Sequence, residues 1–180
     1  MIIVKAFNKD LTCRGYQFKE GLNVCEKAKT KACGFHGAEN PLDCLSYYPN
    51  VDTSVYYLCQ ASGDIHEDGL DSKVSCTELT LLRKLSVPQF VSRAMLYVKD
   101  HPKRPMHQRI CRDFGMAGKD HFVIVYGKDP AAAGVKGDYL GYIVKRKSGT
   151  LDLYIRLVDG FVYRPGIYYN VAGEEVSRQC

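Results

Sequence analysis

The sequence predicts an α+β fold: mainly antiparallel β with a short helix in the N-terminal half, then a basic helical segment and an antiparallel β meander. Three observations carry that expectation. Runs of β-branched and aromatic residues, such as Val55-Tyr-Tyr-Leu-Cys and His121-Phe-Val-Ile-Val-Tyr, recur between Gly, Asp and Asn turn signals. Helical signatures are confined to a capped stretch near residue 40 and an amphipathic stretch over 88–99. A hydrophobic content of 46% with 25% charged residues is that of a chain able to bury a core without spanning a bilayer. The expected organisation is an α+β domain over 1–85, a basic helical connector over 86–120, and an antiparallel β unit over 121–180 packed on the rest.

Taken in order, Met1-Ile-Ile-Val-Lys-Ala-Phe is apolar but has neither a basic leader nor a small-residue cleavage site, and reads as a first strand and not a signal peptide. Asn8-Lys-Asp turns the chain, and Tyr16-Gln-Phe-Lys after Arg14-Gly15 forms a second strand ended by Glu20-Gly21. Residues 23–31 are polar, a hairpin or loop. Gly34-Phe35-His36-Gly37 reads as a strand end turning into a helix cap. Asn40 suits the N-cap, Pro41 the first helical position, and Asp43 the positive end of the helix dipole. Leu42, Leu45 and Tyr48 share one face, and Pro49-Asn50 stops the helix. Val55 to Gly63 is a strand closed by its glycine, 64–71 a charged turn, and Ser72 to Leu85 a further strand or strand pair. Beyond Ser86, the positions Val91, Ala94, Met95 and Val98 follow the i, i+3, i+4, i+7 pattern of a helix over 88–99. His101-Pro-Lys-Arg-Pro breaks it, and 106–112 allows another turn or two of helix. Strands over 121–127, 138–145, 151–158 and 161–171 follow, with Asp159-Gly160 as a hairpin signal.

Charge is unevenly spread. Residues 1–85 hold 10 Lys/Arg and 11 Asp/Glu, whereas 86–180 hold 15 and 9. Between 83 and 112 there are eight basic residues against one acid, Asp100. Several phosphates can be neutralised at once by such a run, so Arg93, Lys99, Lys103, Arg104, Arg109 and Arg112 are the candidate contacts for a partner or for nucleic acid. No zinc finger, RNA-recognition signature or glycine-rich phosphate loop accompanies them, so sequence-specific readout is not implied.

Eight cysteines are present, and no two are closer than eight residues, which does not suit zinc; reduced thiols and no metal are expected. His36, Asn40, Asp43 and Tyr47 form a candidate pocket. In it His36 is either a base or ribose contact or a histidine pinning the turn, and Asn40 and Asp43 are capping residues first. Cys33 and Cys44 would need an orienting Asp or Asn to serve as nucleophile and helper. His66-Glu67-Asp68 has the residue types of a metal trio, and equally those of a charged hairpin tip. One member each of the Tyr47-Tyr48, Tyr56-Tyr57 and Tyr168-Tyr169 pairs is expected at the surface.

Four stretches carry a resemblance: Lys9-Asp-Leu-Thr-Cys-Arg-Gly-Tyr-Gln-Phe18, Cys33-Gly-Phe-His, Glu39-Asn-Pro-Leu-Asp43 with Tyr47-Tyr-Pro49, and Ala61-Ser-Gly-Asp-Ile65 with Asp71-Ser-Lys73. Through them the N-terminal half resembles an uncharacterised domain recurrent in phage and prophage proteins. The C-terminal half is similar to a segment that often follows it, through Val123-Ile-Val-Tyr-Gly-Lys-Asp, Gly137-Asp-Tyr-Leu and Val158-Asp-Gly. As a basic chain of this length it also resembles anti-CRISPR inhibitors of type II effectors. That resemblance implies a non-enzymatic, cytoplasmic protein of the bacterial host cell, without a cofactor. Its partner would be a CRISPR effector nuclease or its guide RNA/DNA complex, with non-specific nucleic acid in addition; a homodimer is left open. A remoter resemblance, through the Gly-Phe-His strand end and the Asn-Pro helix start, is to the ADP-ribosyltransferase fold. It would imply an NAD-handling enzyme, but there is no Glu-x-Glu pair to steady an oxocarbenium-like charge. A phage accessory protein without enzymatic role is the third alternative.

Overall fold

The computed structural model describes residues 1–26, 34–67 and 71–177. The chain divides into two compact units, Met1–Ser86 and Val87–Cys180.

The first unit is built from β1 (Ile2–Asn8), a ribbon of β2 (Thr12–Cys13) and β3 (Tyr16–Gln17), β4 (Gly21–Val24), β5 (Phe35–Ala38), helix α1 (Pro41–Cys44), β6 (Ser54–Glu67) and β7 (Lys73–Lys84). Its five-stranded sheet runs β4-β7-β5-β1-β6, and β6 also pairs with β7, so β7, β5, β1 and β6 close into a ring. All pairings within it are antiparallel. Alternation along β1 explains the core: Ile3 and Phe7 join Phe18, Phe35, Val55, Tyr57, Cys59, Val74, Cys76, Leu79 and Leu81 in one apolar cluster. Val4 and Ala6 occupy the opposite face of β1 and are buried as well, since α1 lies against that strand, with fully buried Leu42 and Leu45 beside it.

The start signals of α1 hold, but the helix ends at Cys44 and does not run on to Pro49-Asn50. Asn40 Oδ1 accepts the Leu42 N–H at 3.1 Å, Pro41 opens the helix and Asp43 lies in its first turn. Arg14 and Gly15, both at positive φ (50° and 79°), make the tight turn joining β2 to β3. Gly63 does not end its strand. At φ 70° it sits in a register shift between Ser62 and Ile65, and β6 continues to Glu67.

The second unit contains α2 (Val87–Asp100), β8 (Ile110–Met116), β9 (Phe122–Ala133), β10 (Tyr139–Lys145), β11 (Leu151–Leu157) and β12 (Tyr169–Asn170). Its sheet runs β11-β10-β9-β12, with β8 also on β9. The expected meander is corrected here: β10 and β8 both pair parallel to β9, and only β11 on β10 and β12 on β9 are antiparallel. Residues 134–138 carry the chain from β9 to a parallel β10; local turn chemistry does not reveal that connection. The stretch 86–120 is likewise not a connector, because α2 and β8 belong to the second unit, and 110–116 is a strand in place of extra helix. Asp159-Gly160 starts no hairpin. Asp159 Oδ1 instead accepts the N–H groups of Phe161, Val162 and Tyr163 at 2.8, 3.0 and 3.1 Å, a turn that lowers its carboxyl below the usual range through those hydrogen bonds.

Helix α2 buries Phe90, Val91, Ala94 and Met95. Gly141 of β10 lets it approach, since a Cβ there would stand 3.0 Å from Val91 and 3.2 Å from Met95. A separate cluster holds Val123, Val125, Leu140, Tyr142, Val144 and Val158, with Tyr142 donating to the Tyr169 carbonyl at 3.0 Å. No helix among the described residues is long and apolar enough to cross a membrane.

Candidate functional site

In the first unit, β1, the β2–β3 ribbon, β5 and α1 line a half-open cavity of about 80 Å³. His36, Asp43 and Tyr47 line it, as three of the four candidate pocket residues; Asn40 does not, being committed to the helix cap. Sequence reasoning missed the other contributors that matter most: Lys5, Cys13, Arg14, Tyr48 and Lys73.

Each arrives for a local reason. Lys5 falls between Ile3 and Phe7 on the alternating face of β1, so the strand carries its side chain among apolar groups, and it is only 4% exposed. Its ammonium donates to the His36 carbonyl at 2.7 Å and to Cys13 Sγ at 3.6 Å, and lies 5.2 and 5.0 Å from the centres of the Phe7 and Phe18 rings. A lysine at an inward position of an otherwise apolar strand was the available signal. Arg14 is placed by the ribbon turn, and Lys73 by the start of β7, with its ammonium 5.2 Å from the Tyr47 ring centre. Asp43 faces the cavity from α1, where its Oδ2 accepts from Ser72 Oγ at 2.5 Å; that oxygen in turn accepts the Asn40 N–H at 2.8 Å.

Burial pushes the Tyr48 hydroxyl up, and contact with Cys13 adds to this, while the Arg14 charge acts against it. Burial also pushes the Cys44 thiol up to about 12, although Lys5 pulls the other way. Cys44 donates to the Val4 carbonyl at 3.3 Å and behaves as a buried, protonated thiol. Cys33, its suggested companion, lies outside the described residues, as does Asp68 of the histidine-acid trio. No cluster of three metal-binding side chains occurs among the described residues.

The basic candidates belong to the second unit and do not behave alike. Lys99, Lys103 and Arg104 are exposed around the end of α2 and the turn after it, whereas Arg93 is half-buried. Arg109 is engaged by Asp120 at 2.8 Å, and the guanidinium of Arg112 rests 5.9 Å from the Tyr126 ring centre.

The family described as a domain of unknown function, DUF7666, matches residues 1–93. The chain belongs to that family. The match takes in the whole β-ring and its cavity and ends inside α2. No curated protein and no solved structure matches the chain.

Proposed function

We propose that this DUF7666 member works by binding and not by chemistry, and that its second unit engages the phosphate backbone of a nucleic acid or nucleoprotein. The observation that carries the reading is the exposed trio Lys99, Lys103 and Arg104, none of which forms an ion pair with a carboxylate among the described residues. Lys99 complements the carboxyl end of α2 and has a local reason to be basic. Lys103 and Arg104 lie past that end, so helix stability does not account for them. The partner we propose is a guide-loaded type II CRISPR effector, with this chain as a phage-derived antagonist in the bacterial cytoplasm that blocks DNA binding or cleavage. Support for that narrower reading comes from the phage-type resemblance of the sequence and from charge that competes for phosphate contacts.

Co-purification with a guide-loaded effector, followed by a DNA-cleavage assay, tests it. Stable association with loss of cleavage is expected. Free effector activity at a large excess of this protein overturns the effector reading. Nucleic-acid binding by the protein alone would then leave the backbone-binding reading in place. The ADP-ribosyltransferase-like alternative finds one carboxylate in the cavity lining, Asp43, already engaged by Ser72.

A further inference from the structure

We infer that the cavity of the first unit is a binding site for the phosphate group of a small molecule, independent of the basic surface of the second unit. The argument starts from Lys5. A lysine residue only 4% exposed normally has its ammonium held by a carboxylate, because burying a charge without a counter-charge is costly. Here its partners are one carbonyl, one thiol and two aromatic rings, all neutral or only weakly polar. The three buried thiols nearby do not supply the missing charge: burial pushes Cys44 and Cys59 up to about 12 and Cys76 up to about 11.

Two further cations, Arg14 and Lys73, line the same cavity. Against three positive side chains stands one carboxylate, Asp43, whose Oδ2 already takes the Ser72 hydroxyl. The cavity therefore has a surplus of positive charge in a partly desolvated place, where an anion is worth more than at an open surface. Its volume of about 80 Å³ exceeds the roughly 10–15 Å³ that one water needs several times over, enough for a tetrahedral oxyanion. Arg14 offers the planar fork that matches phosphate oxygens, and Lys5 a point charge from below. The Tyr47 ring, 54% exposed, stands at the rim, where a flat group carried by the phosphate could stack.

The test follows Cys13, half-buried in the lining, as a reporter. Its alkylation by iodoacetamide is measured by mass spectrometry, with Cys111 of the second unit as internal reference. The probes are inorganic phosphate and AMP, with adenosine as the neutral control, each at about 10 mM or below, a range that detects even weak affinity. Phosphate and AMP should each slow alkylation of Cys13 several-fold without affecting Cys111, and adenosine should not. AMP acting at about tenfold lower concentration than phosphate identifies a phosphate ester as the ligand class; equal potency identifies the free oxyanion. Arg14→Asn keeps a residue that tolerates the positive φ of the turn and should weaken protection about tenfold. Lys5→Met should abolish it, and Lys103→Gln with Arg104→Gln should leave it unchanged. An unchanged Cys13 rate with both anions overturns the inference, and so does full protection in a folded Arg14→Asn protein. Because the readout sits in the first unit, failure here leaves the nucleic-acid reading of the second unit standing, and the converse.

Discussion

Replacing Lys103 and Arg104 with glutamine isolates what the basic turn contributes. Both side chains are exposed, so the double variant should keep its fold, with stability changed by no more than about 0.5 kcal/mol. If Lys99, Lys103 and Arg104 each neutralise one phosphate, the logarithm of the duplex-binding constant should fall with the logarithm of salt with a slope of about −2.7. Removing two of the three contacts should bring the slope to about −0.9. Between about 50 and 200 mM salt the wild type should then lose roughly fortyfold in affinity and the variant roughly fourfold. Fluorescence anisotropy with a labelled duplex, repeated over that range, measures both slopes. A wild-type slope near zero, or identical slopes for the two proteins, would refute the assignment and make this turn an ordinary solvated surface.

Three other outcomes are expected. Above pH 9 the native first unit keeps the protons on Cys44, Cys59 and Cys76 that the unfolded chain releases near its ordinary thiol value, so the native state binds more protons and stability falls as pH rises toward 11 to 12. Thermal melts between neutral pH and pH 10.5 should show this, and Cys59→Ala should reduce the slope; a melting temperature independent of pH would contradict it. Gly37→Ala should destabilise the first unit by about 1–3 kcal/mol, because the new methyl would stand 2.8 Å from the backbone oxygen of Val4, which cannot swing away as the Ile3 side chain can. Denaturant titration measures the loss, and an unchanged midpoint would mean that β5 is free to shift. Tyr142→Phe should cost the second unit about 1–2 kcal/mol by leaving the buried Tyr169 carbonyl without its donor, again read by denaturant midpoint, and a neutral change would show that water replaces the hydroxyl.

The features legible from residues alone are local. The cap at Asn40, the proline start and the apolar stripe of α2 each depend on neighbours a few residues away, and each is found where it was expected. His36, Asp43 and Tyr47 could be placed together for the same reason, since they lie within one strand-turn-helix segment. The rest depended on pairings between distant residues. Closure of the ring requires β6 to meet both β1 and β7, and a bulge at Gly63 that lets one strand bend through the whole hairpin looks locally like a strand end. The parallel union of β9 with β10 cannot be told from a hairpin by alternation alone, because both give the same period. Lys5 was visible only as a basic residue in a first strand. Its meaning came from the tertiary structure, which turned that face inward and brought Arg14, from the ribbon turn, and Lys73, from far along the chain, to the same cavity. Charge in a sequence is counted by neighbourhood along the chain, whereas its energy is set by burial and distance in space, and only the fold supplies those.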